Sequence, residues 1–390
     1  MPGFELLGTE EQNAVNDIFT RSNGVLYRYG LDQRRNYIFR VVDFENSLAT
    51  RLNVSYCHCV CNGTAALKIG LLGLGVRQGD EVITQSFTFV ATVEAILEIG
   101  AIPVITEIDA SLNMDPKDLL KKITKKTKAI VPVHMAGVSA KMDEIILIAR
   151  QYQIPVLEDS AQALGATYKG KFLGTIGDAG IYSFDIGKVI TTGEGGALVT
   201  NHQDVYLTAR EYADHGHEQN PNYPRGEDTR KNWGFNYKMT ELQGAVGLAQ
   251  LKKLDYILEK QRKNKSMIKE RIKDNSSIHF RELPDIDGDA GDTLIFFLET
   301  KEKAAKFAHK LNENGIGTKN LPDAVNWHYA GTWSHIFYNY TEYRGKDLEE
   351  IWSQSTNYLR RAIAIPIMVN MTDEYIENLG NTISKIAKEM

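Results

Sequence analysis

Lys188 is the residue whose type and setting most directly suggest covalent chemistry. It ends residues 181–188 (IYSFDIGK), where an apolar run gives way to a short polar loop. The glycine-rich residues 193–196 (GEGG) follow and would leave room for a planar ligand. An amine in such a loop becomes a nucleophile once burial or a neighbouring cation lowers its pKa. The sequence therefore predicts a lysine that can form a Schiff base.

Asp159 is a second candidate, because it closes the apolar run of residues 156–159 (VLED). In open α/β sheets, ligands bind in the crevice outside the carboxyl ends of the strands, so this side chain should face such a crevice. A buried carboxylate requires a cationic partner, and a protonated heterocyclic nitrogen is one. The alternative interpretation is an ordinary helix N-cap, and Asp159 alone does not decide between the two.

Four further residues could bind parts of a ligand. Gly63 and Thr64 follow an apolar run and open a helical stretch, whose free N–H groups favour an anion, although many strand–glycine–helix turns look the same. Ser183, on the lysine segment, could bond the same anion. Phe89 could stack on a heterocycle, or it could be a core residue.

The elements that must position these residues are short apolar strands alternating with amphipathic helices. This alternation is typical of βαβ units, and strands without polar alternation indicate a sheet covered on both faces. We predict an α/β fold with a mainly parallel, seven-stranded sheet between helices. Six strands can be located in the sequence, at residues 56–61, 81–84, 102–107, 129–133, 156–159 and 180–184.

The second half of the chain has a different pattern. A helical repeat of apolar residues from Thr240 to about Lys273 predicts a long linker helix, and short strands and helices follow it. We therefore predict a large domain over residues 1–250, including an N-terminal arm. Residues 251–390 should form the linker helix and a smaller α+β domain.

Composition narrows the function. The chain has 390 residues and a formal net charge of −5, which gives no general attraction to nucleic acid or anionic lipid. Without a leader sequence or an apolar run long enough for a membrane span, we expect a cytoplasmic protein with a small-molecule partner. Cys57, Cys59 and Cys61 alternate, which indicates thiols on one side of a strand, and we predict no metal site.

Together these segments resemble the DegT-like sugar aminotransferases, which are pyridoxal 5'-phosphate (PLP) enzymes of fold type I. The matching motifs run along nearly the whole chain, from residues 42–45 (VDFE) to residues 235–243 (FNYKMTELQ). The resemblance implies that Lys188 forms the Schiff base and later carries the proton, while Asp159 keeps the pyridine nitrogen protonated. The other implied cofactor contacts are Gln162 near the ring hydroxyl, Phe89 on the ring face, Gly63, Thr64 and Ser183 at the phosphate, and Asn236 reaching the phosphate of a neighbouring subunit in a homodimer.

The resemblance also implies glutamate as amino donor and a sugar aldehyde or ketone as acceptor. Residues 183–185, 214–217 and 326–329 resemble the branch of the family that aminates an 8-oxo derivative of the lipopolysaccharide sugar Kdo. That acceptor carries a carboxylate and no nucleotide. Candidate residues for binding it are Arg34, Arg35, Arg40, Arg225 and His328.

Alternatives remain open for the acceptor and for the activity. A nucleotide-linked keto sugar or a small phosphorylated ketose could replace the octulosonate. Asp185 stands where the family usually has an aromatic residue or histidine, which leaves the sugar pocket undefined. Branches that act as dehydratases replace the lysine by histidine, so Lys188 favours amino transfer. A non-enzymatic regulator that keeps the cofactor is the remaining alternative.

Overall fold

The computed structural model describes residues 3–220, 222–223, 225–229 and 231–390. Its strands are β1 Tyr56–Val60, β2 Glu81–Gln85, β3 Ile102–Thr106, β4 Thr127–Val131, β5 Leu157–Asp159, β6 Thr167–Tyr168, β7 Lys171–Phe172, β8 Ala179–Ser183, β9 Gly196–Thr200, β10 His279–Phe280, β11 Thr293–Phe297 and β12 Ala362–Pro366.

The α-helices fill the connections and cover the sheets. They are α1 Thr9–Arg21, α2 Arg40–Leu52, α3 Gly63–Gly73, α4 Ala91–Glu98, α5 Pro116–Lys122, α6 Met142–Tyr152, α7 Gln203–Ala213, α8 Glu241–Leu251, α9 Leu254–Ile272, α10 Lys301–Glu313, α11 Ser334–Phe337, α12 Leu348–Ile351, α13 Ser353–Arg361 and α14 Asp373–Lys388. Among the described residues, no helix combines the length and the apolar character that crossing a bilayer requires.

The large sheet has, within the described residues, seven strands in the order β1-β9-β8-β5-β4-β2-β3. Parallel bridges from Ile130 to Val156 and from Val133 to Asp159 join β4 to β5 and so unite its two parts. Only β9 runs against its neighbours β1 and β8. The prediction of a mainly parallel seven-stranded sheet is therefore confirmed.

Strand β9 is the one that the sequence pattern did not locate, because it begins inside the glycine tract. A Cβ on Gly196 would lie 2.3 Å from the carbonyl oxygen of Asn62, so glycine is required for the close approach of β9 to the turn after β1. The tract thus brings two backbone segments together, rather than only leaving space for a ligand.

Both faces of the large sheet are covered. One core cluster packs α3 and α7 on one face, through residues such as Leu67, Leu71 and Val205. Another cluster includes Phe44 of α2 and Ile257 of α9. Burial on both faces explains why β8 reads as apolar along its whole length, since all five of its residues are buried.

The C-terminal part forms a separate antiparallel sheet in the order β10-β11-β12. Helices α9, α10 and α14 pack on it around Phe296, Phe307 and Ile383. The predicted single helix from Thr240 is two helices, because α8 ends at Leu251 and α9 starts at Leu254. The division of the chain at residue 250 stays a prediction.

Candidate active site

A cavity of about 810 Å³ lies at the carboxyl ends of β5 and β8. Parallel strands bring their carboxyl ends to one edge, so residues far apart in sequence meet here. Eight residues singled out from the sequence line it: Gly63, Thr64, Phe89, Asp159, Gln162, Ser183, Lys188 and His328.

Lys188 is held by backbone contacts on a tight loop after β8. Its N–H donates to the carbonyl oxygen of Asp185 (3.0 Å), and its own carbonyl accepts from the N–H of Gly3 (2.9 Å). Burial lowers the pKa of the Lys188 amine, while the carboxylates of Asp159 and Asp185 act in the opposite direction. A lowered pKa increases the fraction of neutral, nucleophilic amine near neutral pH.

Asp159 ends β5 and is only 4% exposed. Its Oδ2 accepts a 2.7 Å hydrogen bond from the hydroxyl of Thr92, and its Oδ1 accepts one of 3.1 Å from the N–H of Ala161. Burial raises the pKa of this carboxyl despite these bonds. Residues 161–162 form a turn and no helix follows, so the N-cap interpretation is wrong. A cation in the cavity would stabilise the ionised form of Asp159.

The turn after β1 provides an anion cradle. Asn62 caps α3 by accepting a 2.8 Å hydrogen bond from the N–H of Ala65, and the first turn of the helix presents its remaining N–H groups. Gly63 is needed here, because a Cβ at this position would lie 2.9 Å from Cβ of Ser183. The helix start and the serine hydroxyl therefore lie side by side.

Phe89 and Gln162 flank the space between the cradle and Asp159. Phe89 is 41% exposed rather than core, and its ring centroid lies 5.3 Å from that of His328. Gln162 is buried, and its Oε1 accepts a 2.9 Å hydrogen bond from the N–H of Ala136. Its amide NH₂ is thus the group it can offer to a ligand.

These residues fit pyridoxal 5'-phosphate. The cradle at Gly63, Thr64 and Ser183 suits a phosphate, the exposed ring of Phe89 suits a stacked heterocycle, and the buried carboxyl of Asp159 suits a protonated ring nitrogen. When bound, this cofactor supplies a carbonyl carbon for an amine and an electron sink for a carbanion.

His328 lines the cavity but is not cationic. Burial lowers its pKa to about 4, and the positive charges of Lys188 and Lys319 act in the same direction. At neutral pH it is therefore an uncharged imidazole, 3.5 Å from the side-chain amide of Asn320.

The structure does not bring three of the arginine candidates, Arg34, Arg35 and Arg40, to the cavity. Arg34 is exposed on the surface, and Arg40 pairs with Asp17 and Asp43. Arg35 is fully buried, where it pairs with Glu241 at 2.7 Å. Its long-range ion pair fixes the N-terminal arm against the start of α8, which the local sequence could not reveal.

The two remaining predicted residues are Arg225 and Asn236. Arg225 begins a short 3-10 turn, Arg225–Glu227, and its side chain is outside the described part of the structure. Asn236 is exposed and forms a bridge with Asp214. Its predicted contact with a neighbouring subunit remains a prediction.

Sequence reasoning missed Thr92 and Lys319. Thr92 lies in the first turn of α4, where a polar residue is unremarkable by local pattern, and its contact with Asp159 arises only from the fold. Lys319 comes from the C-terminal part and lines the same cavity. A lone lysine after a glycine-rich loop does not by itself predict that its side chain lines the cavity.

A cavity lined by a half-buried lysine, a buried aspartate and an anion cradle defines the site of a PLP-dependent enzyme of fold type I. The model of the DegT/DnrJ/EryC1/StrS aminotransferase family matches residues 35–384, and the chain belongs to this family of PLP-dependent sugar aminotransferases. NtdA from Bacillus subtilis, solved with bound cofactor PMP, superposes with a TM-score of 0.85 at 25% identity and covers 99% of this chain and 84% of its own.

Two curated relatives are GDP-perosamine synthases. The one from Escherichia coli O157:H7 is 38% identical over 254 residues, which cover 64% of this chain and 66% of that protein. The one from Caulobacter vibrioides is 41% identical over 220 residues, covering 55% and 57% respectively. The matches thus span less than two thirds of either relative.

Proposed function

We propose that the enzyme transfers an amino group from glutamate to the carbonyl group of a sugar. The observation that carries this proposal is that half-buried Lys188 and buried Asp159 line one cavity beside an anion cradle. Lys188 would hold the cofactor at its carbonyl carbon and would move a proton at the substrate Cα. Asp159, oriented by Thr92, holds a proton on the ring nitrogen and so maintains its electron-withdrawing character.

The remaining contacts bind and orient. Gly63, Thr64 and Ser183, which line the cavity, would hold the phosphate, Phe89 would pack on the ring face, and Gln162 would offer its amide to the ring hydroxyl. Residues 251–390 contribute Lys319, Asn320 and His328 to the cavity, which supports a division into a cofactor domain over residues 1–250 and a smaller domain that covers the substrate.

For the acceptor we propose the 8-oxo derivative of 3-deoxy-manno-octulosonate, aminated at C8 in the cytoplasm for lipopolysaccharide biosynthesis. The support is the resemblance of residues 183–185 and 326–329 to that branch, and both segments contribute residues to the cavity, Ser183 and Asp185 from the first and His328 from the second. A nucleotide-linked keto sugar is the second candidate, because the GDP-perosamine synthases named above are named after a nucleotide-linked amino sugar, which amination of such a keto sugar would give.

We also propose a homodimer with shared active sites. Asn236 is exposed and outside the cavity of its own chain, and Trp233, close to it, is 65% exposed. If Asn236 reaches a partner's phosphate, mixing inactive Lys188→Ala and weakly binding Asn236→Ala proteins should restore activity in hybrid dimers. Additive activities without complementation would contradict shared sites.

A substrate panel tests the proposed function. The purified protein should have the visible band of bound PLP, and glutamate should convert it to the band of the aminated cofactor. The aminated enzyme is then mixed with the 8-oxo octulosonate, a GDP-linked 4-keto sugar and a phosphorylated ketose, and return of the original band identifies the acceptor. A bound cofactor that responds to no amino donor would favour the regulator instead.

A further inference from the structure

The wall of the cavity opposite the cofactor cradle comes from the C-terminal part of the chain. Lys319 lies there on a segment tied to β12, since its N–H donates a 2.8 Å hydrogen bond to the carbonyl oxygen of Ala364. Its Nζ lies 2.8 Å from Oδ2 of Asp292 and 2.8 Å from Oγ1 of Thr293. The ammonium group is therefore fixed in position before any ligand arrives.

The surroundings of Lys319 leave it able to bind an anion. Asp292 is fully buried, and the pKa of its carboxyl is held low chiefly by Lys319. An ammonium group has three N–H donors, of which Asp292 and Thr293 take two. The third is available on the cavity side, because Lys319 is one of the lining residues.

The charges around the cavity single out this lysine. Among the described lining residues, Lys188 and Lys319 are the cations, and Asp159, Asp185 and Glu194 are the acids. Lys188 is used for the cofactor and His328 is neutral at pH 7, so Lys319 alone can offer a lasting positive charge to a substrate. Lys319 and Lys188 line the same cavity.

The position of the donor's α-carboxylate favours a cation near Lys188. Every α-amino acid carries its carboxylate on the carbon that bears the reacting amine, so the carboxylate arrives close to the position of Lys188 Nζ. In the octulosonate, by contrast, the carboxylate is at the opposite end of the carbon chain from the carbon that is aminated. A cation near Lys188 therefore suits the donor better than the acceptor.

We propose that Lys319 Nζ binds the α-carboxylate of the amino-acid donor, and that Asp292 and Thr293 hold the ammonium group in place. This inference rests on the proposed function in one respect, namely that the donor is an α-amino acid. It assigns Lys319 a role in donor binding that neither Arg34 nor Arg35 can have in this chain, since neither lines the cavity.

The experiment compares two donors in the isolated first half reaction, followed by the visible band of the cofactor. One donor is glutamate, and the other is its α-amide, which lacks the α-carboxylate charge. In Lys319→Gln, the glutamate concentration for half-maximal rate should rise about 10- to 100-fold, as expected for a lost charge-assisted bond, while the α-amide should react as it does with wild type. Lys319→Arg should recover part of the preference for glutamate.

Two further variants separate binding from folding. Removing Lys319 leaves Asp292 buried without its partner, so the double variant Lys319→Gln with Asp292→Asn keeps the region neutral and should show the same loss of preference. Lys141→Gln is the matched control, because Lys141 also bridges two acids, Asp109 and Glu282, but does not line this cavity. Lys141→Gln should leave the concentration for half-maximal rate unchanged for both donors.

The outcomes are distinguishable. If wild type reacts with glutamine or another amino acid rather than glutamate, the choice of glutamate is wrong, and the same comparison with that donor and its α-amide decides the role of Lys319. Equal losses for the charged donor and its α-amide, or no loss for either, would overturn the role of Lys319. A wild-type enzyme that reacts with no α-amino acid would overturn both proposals.

Discussion

The hydroxyl of Thr92 donates a 2.7 Å hydrogen bond to Oδ2 of Asp159, which joins the first turn of α4 to the end of β5. This bond opposes the effect of burial, which raises the pKa of the Asp159 carboxyl. Thr92 therefore favours the ionised form of the carboxylate and orients it.

Thr92→Val removes this bond while keeping the shape of the side chain. Hydrogen bonds to charged groups contribute about 1.5–3 kcal/mol, so amino transfer should slow by roughly 10- to 100-fold, while PLP stays bound. The pH at which the rate falls on the acid side should also move upward, because the carboxyl protonates more easily. Rate–pH profiles of the half reaction measure both effects.

Thr88→Val is the control for that variant. Thr88 lies 2.8 Å from the Thr92 hydroxyl and has no hydrogen bond to Asp159 among the contacts of the described residues. If Thr88→Val slowed amino transfer as much as Thr92→Val, and neither variant changed the pH profile, the packing of α4 would be the cause. The hydrogen bond from Thr92 to Asp159 would then not have the proposed role.

Asp159→Asn should bind PLP but transaminate poorly. A neutral amide cannot hold a proton on the ring nitrogen, so the electron sink is weakened, and we expect a loss of about 100- to 1,000-fold in single-turnover rate. Visible absorbance reports cofactor binding and fluorescence-detected melting reports folding. Turnover like that of wild type would show that Asp159 does not have this role.

Lys188 should capture the cofactor with an unusual pH dependence. Because burial lowers the pKa of its amine, the rate at which the cofactor-free protein takes up PLP should rise with pH through a midpoint below 10.5. Replacing the nearby positive charge in Lys319→Gln should move that midpoint upward. Borohydride reduction followed by peptide mass spectrometry should locate the attached cofactor on Lys188, and a label elsewhere would contradict the assignment.

Gly63→Ala should weaken phosphate binding. The added Cβ would lie 2.9 Å from Cβ of Ser183, so the cradle must open by some tenths of an ångström. We expect the dissociation constant for PLP to rise about tenfold or more, measured by dialysis and absorbance titration. In the double variant Gly63→Ala with Ser183→Gly the clash is relieved, so its dissociation constant for PLP should equal that of Ser183→Gly alone. A higher dissociation constant in the double variant would show that the effect of Gly63→Ala has another cause.

The residues predicted for the cofactor side of the site come together in one cavity, for a physical reason. Gly63, Asp159, Ser183 and Lys188 each lie at or after the carboxyl end of an apolar strand, and parallel strands deliver such residues to one edge of the sheet. Local pattern therefore carried the information. The seventh strand, β9, was not predicted because it begins at Gly196. This glycine allows close backbone approach and is not typical of a strand.

The substrate side could not be predicted in the same way. Arg35 is of a residue type that often binds anions, but in this fold it forms a buried ion pair with Glu241, which lies far along the chain. Lys319 shows the reverse, because an unremarkable lysine is carried into the cavity by its attachment to β12 and to Asp292. Both outcomes depend on contacts distant in sequence, which local pattern does not encode.

The hydrogen bond from the N–H of Gly3 to the carbonyl of Lys188 bears on when the refolding protein can bind its cofactor. The contact joins the first described residue to the lysine loop, and Glu5, two residues on, accepts a 2.7 Å hydrogen bond from the N–H of Val369. Contacts so distant in sequence form late, since their loop-closure entropy is offset only after the intervening segments have ordered. We therefore expect competence for cofactor capture to appear among the last steps of refolding, after the sheets have formed.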